Sequence, residues 1–280
     1  MDTAARIANI ERQLSKAERR VAAVVLRNPE LVAFRTVAAV AEEAGVGAAT
    51  VVRFAARLGV EGFGGLQHAV QADLSRRLRP AAERIRRKSA PDSMERHLAL
   101  AVENVTATLQ AVDPSALDML VDRVSDTGSR VGVLTGDASA GVARQWVGDL
   151  EALRDDVHLL HGPEVAVARR VAGFGPRDTL IAIDLRRYDR QVVQAAALAT
   201  GRGVWLAAVT DGPLSPLARH ASSTFVMRAD AVGPFDSHVG TLAFCDLVVA
   251  AVADRLRQHA TERLDAAEAV WREQSMLVDE

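Results

Sequence analysis

Ala48, Ala49, Thr50, Arg53 and Arg57 are the residues of this chain whose types and spacing best suit chemistry with a polyanion. On a helix they fall along one side. Small residues at a helix start let the backbone approach a nucleic-acid groove, and an arginine one turn later reaches a base edge or a phosphate. Thr50 and Arg53 are the candidates for groove contacts, Ala49 supports close approach, and Arg57 is the candidate phosphate contact. No comparable set points to a metal. The seven histidines are scattered, and the single cysteine, Cys245, stands in the apolar run Leu242-Ala243-Phe244-Cys245, where a buried small hydrophobe is expected. One cysteine gives no disulfide framework, in keeping with a reducing cytoplasm.

The elements that must position these residues follow from local pattern. Thr36–Phe63 reads as two short helices joined by a tight turn at Gly45, with Val37, Val40, Ala41 and Ala44 buried on the first and Val51, Phe54, Ala55 and Leu58 on the second. Upstream, Ser15-Lys16-Ala17-Glu18 is a capping box that starts a helix carrying Val21, Val24, Val25 and Leu26 inward. That helix stops near Asn28-Pro29, and Leu31, Val32 and Phe34 are expected to pack the join. Charge is uneven: residues 1–88 hold 16 Lys and Arg against 9 Asp and Glu, net +7, and the remainder is net −9. This suits a polyanionic partner at one end only. Arg76, Arg77, Arg79, Arg84, Arg86, Arg87 and Lys88 supply much of the excess, as phosphate contacts or as a solvated linker.

Composition turns to turn-formers at Ser89-Ala90-Pro91-Asp92-Ser93, which places a domain boundary there. Helices are expected at 94–112 and 115–125. Strands at 130–134, 157–160, 179–185, 204–209 and 224–227 then alternate with helices at 140–153, 163–172, 190–201 and 216–221. A long helix is expected over 237–259. Near-continuous apolar strands alternating with helices predict a mostly parallel sheet covered on both faces, with its ligand crevice at the carboxyl ends of the strands. No apolar run reaches membrane-spanning length, so a cytoplasmic protein with no membrane association is expected.

The segment from Leu14-Ser15-Lys16-Ala17-Glu18 through Thr50-Val51-Val52-Arg53-Phe54 and Leu58-Gly59-Val60-Glu61-Gly62-Phe63 closely resembles the N-terminal domain of the RpiR family of bacterial transcription regulators. Two positions depart from that pattern: Gly47 stands where a capping serine is usual, and Gln67 where a lysine is frequent. Residues 94–258 resemble the sugar isomerase (SIS) domain, through Arg130–Ser139, Asp178–Tyr188 and Thr210-Asp211-Gly212-Pro213-Leu214-Ser215-Pro216-Leu217. Taken alone, this last run is a turn with Ser215 capping a helix that opens at Pro216.

The resemblance implies a fold of two domains, an all-α helix-turn-helix bundle followed by an α/β SIS-type parallel five-stranded sheet with helices on both faces. The expected boundaries are 1–78 for DNA binding, 79–93 for a basic linker, 94–258 for ligand sensing and 259–280 for a helical tail that packs on its own domain or a neighbouring protomer. It implies phosphosugar binding, in which hydroxyls and backbone N–H groups after a strand meet the phosphate. Gly136, Ser139, Asp184, Arg186, Arg187, Tyr188 and Ser237 become the candidate ligand contacts, with His238 beside them. Here the loops depart from the SIS pattern. Asp184 ends the third strand where a serine is usual, and Asp137-Ala138 replaces a glycine-rich run. Either Arg186 or Arg187 supplies the anion contact, or Asp184 pairs with one of them and the site is vestigial, or the ligand is not a phosphosugar. A cationic or polyol group would be drawn to Asp137 and Asp184, and a carboxylate to Arg187.

The expected function is a DNA-binding transcriptional regulator, in the repressor sense, whose SIS domain binds a sugar phosphate or related sugar derivative. Its expected partners are a double-stranded DNA operator, the effector, and further copies of the chain in a homodimer or homotetramer; no cofactor is implied. The alternatives are a sugar-phosphate isomerase-like enzyme with an N-terminal appendage and a regulator whose SIS domain only dimerises. An isomerase needs a general base near the reacting carbons, and the crevice loops hold no glutamate. His220, His238 and Glu164 lie near helix ends without a convincing partner, so no catalytic residue is assigned.

Overall fold

In this computed structural model, which describes residues 3–10, 13–77, 81–86, 94–213 and 215–276, helices α1 (Thr3–Ile10), α2 (Lys16–Arg27), α3 (Pro29–Phe34), α4 (Val37–Glu43), α5 (Ala48–Arg57) and α6 (Gly62–Arg77) build the first unit, Met1–Arg84. Gly45 turns the chain between α4 and α5 at φ +61°, a conformation that glycine adopts without the clash a Cβ brings. Val40, Ala41 and Ala44 from α4 meet Val51, Phe54, Ala55 and Leu58 in one buried cluster with Val21, Val24, Val25 and Leu66. The capping box at α2 forms as the sequence indicates: the Ser15 amide donates to Glu18 Oε2 (2.9 Å), and the Glu18 amide donates to Ser15 Oγ (3.3 Å). Gln67 donates its side-chain amide to the Val32 and Arg35 carbonyls at the end of α3, so its departure from lysine still satisfies orphan helix carbonyls.

Two features of this unit differ from the sequence reading. Phe34 does not pack the join; it is 72% exposed, and Val32 and Ala33 fill the interior instead. Helix α1, which no local signal marked, is held by a contact 70 residues away: the amide and hydroxyl of Thr3 both donate to Asp73 Oδ2. Arg79, Arg87, Lys88 and the expected boundary at Ser89–Ser93 lie outside the described residues, as do the side chains of Arg76 and Arg77. Within the expected linker, Ala81–Arg86 forms the short helix α7.

The second unit, Ile85–Glu280, begins with α8 (Met94–Gln110) and α9 (Pro114–Ser125). Strands β1 (Val131–Thr135), β2 (Val157–Leu160), β3 (Thr179–Asp184), β4 (Trp205–Thr210) and β5 (Ser223–Val226) then form one all-parallel sheet in the order β2-β1-β3-β4-β5. Helices α10 (Ala140–Leu153), α11 (Glu164–Val171), α12 (Arg190–Gly201), α13 (Val239–Arg255) and α14 (Arg257–Glu273) complete it. Alternate strand residues serve opposite faces. Val131, Val133, Ile181, Ile183, Ala207 and Val209 pack with α9, α10 and α13, whereas Leu134, Leu180, Ala182, Leu206 and Ala208 pack with α11 and α12. On the first face Trp146 meets Phe244 edge-on at 6.0 Å between ring centres, and Phe225 lies 4.8 Å from Phe244. Gly132 is required on the second face, because a Cβ there would come within 3.0 Å of Leu160, Phe174 and Leu180. Cys245 is buried beside Phe244 as a small hydrophobe, and burial pushes its thiol pKa up. No described helix is long and apolar enough to cross a membrane.

The segment expected as a helix over 216–221 is a run of turns. Ser215 Oγ accepts from the Leu217 amide (3.2 Å), a cap-like bond followed by separate turns in which the Ala218 and His220 amides donate to the Ser215 and Leu217 carbonyls, and by no helix. The long C-terminal helix divides at Leu256 into α13 and α14 without a glycine or proline. Its second half turns back on the same unit: Ala260 joins the core, and Arg263 reaches Asp155 Oδ1 (2.6 Å) and the Glu151 carbonyl (2.9 Å). The tail thus docks on its own domain over these residues.

Candidate functional site

Helix α5 presents Ala48, Ala49, Arg53 and Arg57 to solvent, with Thr50 half-buried beside them, because Val51, Phe54 and Ala55 take the inward positions. Arg53 Nη2 donates to Thr50 Oγ1 (3.3 Å), so the two candidate groove contacts form one polar unit at the exposed start of the helix. Arg57 is placed differently. Its Nε lies 3.0 Å from Glu18 Oε1, and its Nη1 donates to the Gln13 carbonyl (2.8 Å). The Glu18 carboxyl is held below its ordinary range, first by the Ser15 amide, then by the Ser15 hydroxyl, with Arg57 and Arg53 adding to the effect. Arg57 therefore ties the end of α5 to the start of α2 in addition to any contact it makes outside.

Gly47 caps α5 without a side chain, in extended backbone (φ −79°, ψ 150°), and a Cβ there meets nothing within 4 Å. Gly47→Ser should therefore fit, supply the missing cap and restrict the unfolded chain. We expect a gain of about 0.5–1 kcal/mol, read as a higher urea midpoint at unchanged m-value.

In the second unit the candidate ligand contacts converge where strand order reverses. From β1 the chain runs outward to β2 over one face, and from β3 it runs to β4 over the other, which leaves a crevice beyond the carboxyl ends of β1 and β3. Gly136, Asp137, Ala138 and Ser139 lie at the end of β1, the last three as a single 3₁₀ turn ahead of α10. Gly136 backs onto the β3 loop, since a Cβ there would sit 2.7 Å from Asp189 Oδ2. Asp184 ends β3 at 4% exposed. Its Oδ2 accepts from the Asp189 amide (2.7 Å), while Asp189 Oδ1 accepts from the Gln191 amide and caps α12.

Asp184 pairs with neither of its neighbouring arginines. Arg186 turns instead to Asp230 (Nη2 to Oδ1, 3.0 Å), Asp236 (3.5 Å) and Asp211 (3.8 Å), and Arg187 is exposed at φ +56°. Tyr188 donates its hydroxyl to Asp211 Oδ1 (2.7 Å). Burial pushes the Asp184 pKa up to about 7, and the Asp189 and Asp211 charges add to the rise. Ser237 lies just before α13, its Oγ near the Val239 amide (3.5 Å), and His238 Nε2 lies 3.2 Å from the Ala138 carbonyl. Burial lowers the His238 pKa, which favours a neutral ring donating from Nε2. Ser139 Oγ, Arg186 Nε, Asp211 Oδ2 and His238 Nδ1 are buried and have no hydrogen-bond partner among the described residues. Buried polar atoms of this kind are uncommon, and four among the crevice residues suit a polar ligand.

Asp211, Asp230 and Asp236 escaped the sequence reading as site residues. Asp211 stood inside the Thr210–Leu217 run and could have been found from its place at the end of β4. Asp230 and Asp236 lie in the loop after β5, where no local pattern points at Arg186. Among the described residues no group of three or more His, Cys, Asp or Glu side chains is arranged to hold a metal ion.

Comparison with known proteins adds a family context. The "Helix-turn-helix domain, rpiR family" matches residues 1–77, and the "SIS domain" matches residues 158–251. The chain is 26% identical over 254 residues to the HTH-type transcriptional regulator HexR of Pseudomonas aeruginosa, covering 87% of this chain and 86% of that protein. HexR of Escherichia coli is 26% identical over 245 residues, covering 84% and 82%. Among solved structures, the sugar isomerase domain of an RpiR transcription factor from Sphaerobacter thermophilus superposes at TM-score 0.59 with 29% identity, over 62% of this chain and 97% of that one. The Vibrio vulnificus NanR protein complexed with ManNAc-6P shares the fold at TM-score 0.58 and 22% identity, over 98% of both chains.

Proposed function

The chain belongs to the RpiR family of transcriptional regulators, and on that premise we propose that its SIS domain takes a sugar-type metabolite in the β1–β3 crevice and thereby alters the protein's hold on an operator. It is a regulator and not an enzyme: a helix-turn-helix domain of the rpiR family matches its first 77 residues, and the relatives it matches over more than four-fifths of its length are named transcriptional regulators. The observation that carries the sensing role is the set of buried, unpartnered polar atoms among the crevice residues, Ser139 Oγ, Arg186 Nε, Asp211 Oδ2 and His238 Nδ1. Polar groups left without partners in a crevice favour whatever ligand completes their hydrogen bonds. Gly136, Asp184, Arg186, Tyr188 and Ser237 surround them, and Arg187 stands at the solvent side.

In this reading Ala48, Ala49, Thr50 and Arg53 face the major groove, and Arg57 adds a phosphate contact while bracing α2. Two copies related by a two-fold axis, in a dimer or tetramer, read half-sites about one helical turn or a multiple apart. A bound operator that overlaps a promoter gives repression in the cytoplasm, and effector binding shifts occupancy through a coupling of about 1–3 kcal/mol. The test is operator binding by the full chain, with and without metabolites of the sugar class. A change in affinity of about 5- to 150-fold on adding one of them supports sensing. An operator affinity indifferent to every such compound would leave the SIS domain as an assembly domain only.

A further inference from the structure

The proposed sensing role leaves open whether the effector carries a phosphate, and the charges around the crevice narrow the ligand class on the premise of that role. The N-terminus of α12 is where an incoming phosphate would meet backbone N–H groups and a favourable partial charge. In this chain its own carboxylates have taken those amides. Asp184 accepts from the Asp189 amide, and Asp189 accepts from the Gln191 amide. The Asp189 carboxylate also fills the space beside Gly136, between the β1 loop and α12.

The half-buried arginine of the crevice is ringed by carboxylates, although its Nε is left without a hydrogen bond. Three carboxylates, Asp211, Asp230 and Asp236, surround Arg186, and Arg228 lies 4.0 Å from Asp230. Asp137, in the 3₁₀ turn ahead of α10, is paired with His161 (2.8 Å) and is itself exposed. A phosphate dianion among these groups would face like charges at short range, least screened at the buried carboxylates of Asp184 and Asp211. The exposed Arg187 and the Nε of Arg186 are the arginine donors of this loop left to meet an anion, and the second already faces Asp211.

The buried atoms without partners ask for something different. Asp211 Oδ2 and His238 Nδ1 are acceptors, Arg186 Nε, 3.8 Å from that Oδ2, is a donor, and Ser139 Oγ can give or take a hydrogen bond, a mixture that hydroxyl groups serve in both roles. We propose that the crevice takes an unphosphorylated polyhydroxyl ligand, a free sugar or polyol. Its hydroxyls donate to Asp211 and pair with Ser139, while Asp184 and Asp189 stand where a phosphate would otherwise lie. An amino group on such a ligand strengthens binding by adding a charge of the favourable sign.

The experiment is a thermal-shift comparison of the full chain with matched pairs: glucose and glucose 6-phosphate, glucosamine and glucosamine 6-phosphate, ribose and ribose 5-phosphate. The expected result is a rise in Tm of about 5 °C at a hundredfold excess over Kd for an unphosphorylated member, with no rise for its ester. Asp211→Asn should abolish that rise. Should Asp211→Asn fail to fold by circular dichroism, Ser139→Ala serves in its place. A rise with an ester that equals or exceeds its free sugar, and that Arg187→Ala removes, overturns the inference. If that ester also alters operator binding, the sensing function survives the loss. No rise with any of the six compounds overturns the inference, and an operator affinity unmoved by all six counts against sensing as well.

Discussion

Arg53→Ala is expected to weaken operator binding by about 5- to 150-fold, the equivalent of about 1–3 kcal/mol, without unfolding the helical unit. Burial is the reason the fold should survive. Arg53 is exposed on α5, and its hydrogen bond to the half-buried Thr50 lies at the surface. Removing it leaves the cluster of Val51, Phe54 and Ala55 intact, so the stability change should stay within about 0.5 kcal/mol, as for other surface substitutions. Arg57 is the informative contrast. Arg57→Ala also breaks the contacts with Glu18 and the Gln13 carbonyl, so it should lower the unfolding midpoint together with DNA affinity. Fluorescence anisotropy with cognate and scrambled duplexes separates the roles of Arg53. A loss confined to the cognate duplex identifies base reading. An equal loss on every duplex, with the salt slope reduced by about one, identifies a phosphate contact. Unchanged affinity on all duplexes would remove Arg53 from the interface.

Much of the fold was legible in the sequence because the forces that set it are local or periodic. β2, α10 and α12 fall where alternating apolar runs and helical spacing place them, and the remaining strands shift by a residue. Gly45 and the Ser15–Glu18 box were readable because each acts through its own few residues. What escaped depends on residues far apart in the chain. The start of α1 rests on Asp73, the break at Leu256 follows from α14 docking toward Asp155, and neither has a local signal. The stretch at 216–221 had the cap and the proline of a helix start, yet the bonds that follow close separate turns and no helix propagates. The candidate site divides the same way. Its position at the strand ends follows from the order of elements. The partners of Arg186 do not, because Asp230 and Asp236 arrive from a loop more than 40 residues downstream.

Asp184→Asn is expected to stabilise the protein at pH 8 by about 2 kcal/mol, and the gain should shrink toward acid pH. Asn retains an oxygen that can accept the Asp189 amide, so the bond at 2.7 Å need not be lost. It removes the cost of holding a buried negative charge beside Asp189 and Asp211, the cost that pushes the folded pKa up to about 7. The direction follows from proton linkage. Between the unfolded value near 3.8 and the folded value near 7, the folded protein binds the extra proton. The stabilising contribution of protonated Asp184 is therefore complete below about pH 3.8 and is lost as pH rises through 7, so wild-type stability should fall across that window. The full shift corresponds to about 4 kcal/mol, and local relaxation around a charged Asp184 brings the expected gain down to about half. Urea unfolding of both proteins at a series of pH values checks this directly. A gap that widens from pH 4 to 8 supports a strained buried carboxylate. A gap that is constant with pH, or a variant less stable at pH 8, would mean that Asp184 ionises at its ordinary value and that its charge is stabilised in the fold. A charged Asp184 so stabilised would still disfavour a phosphate at the crevice, so the two measurements fail independently.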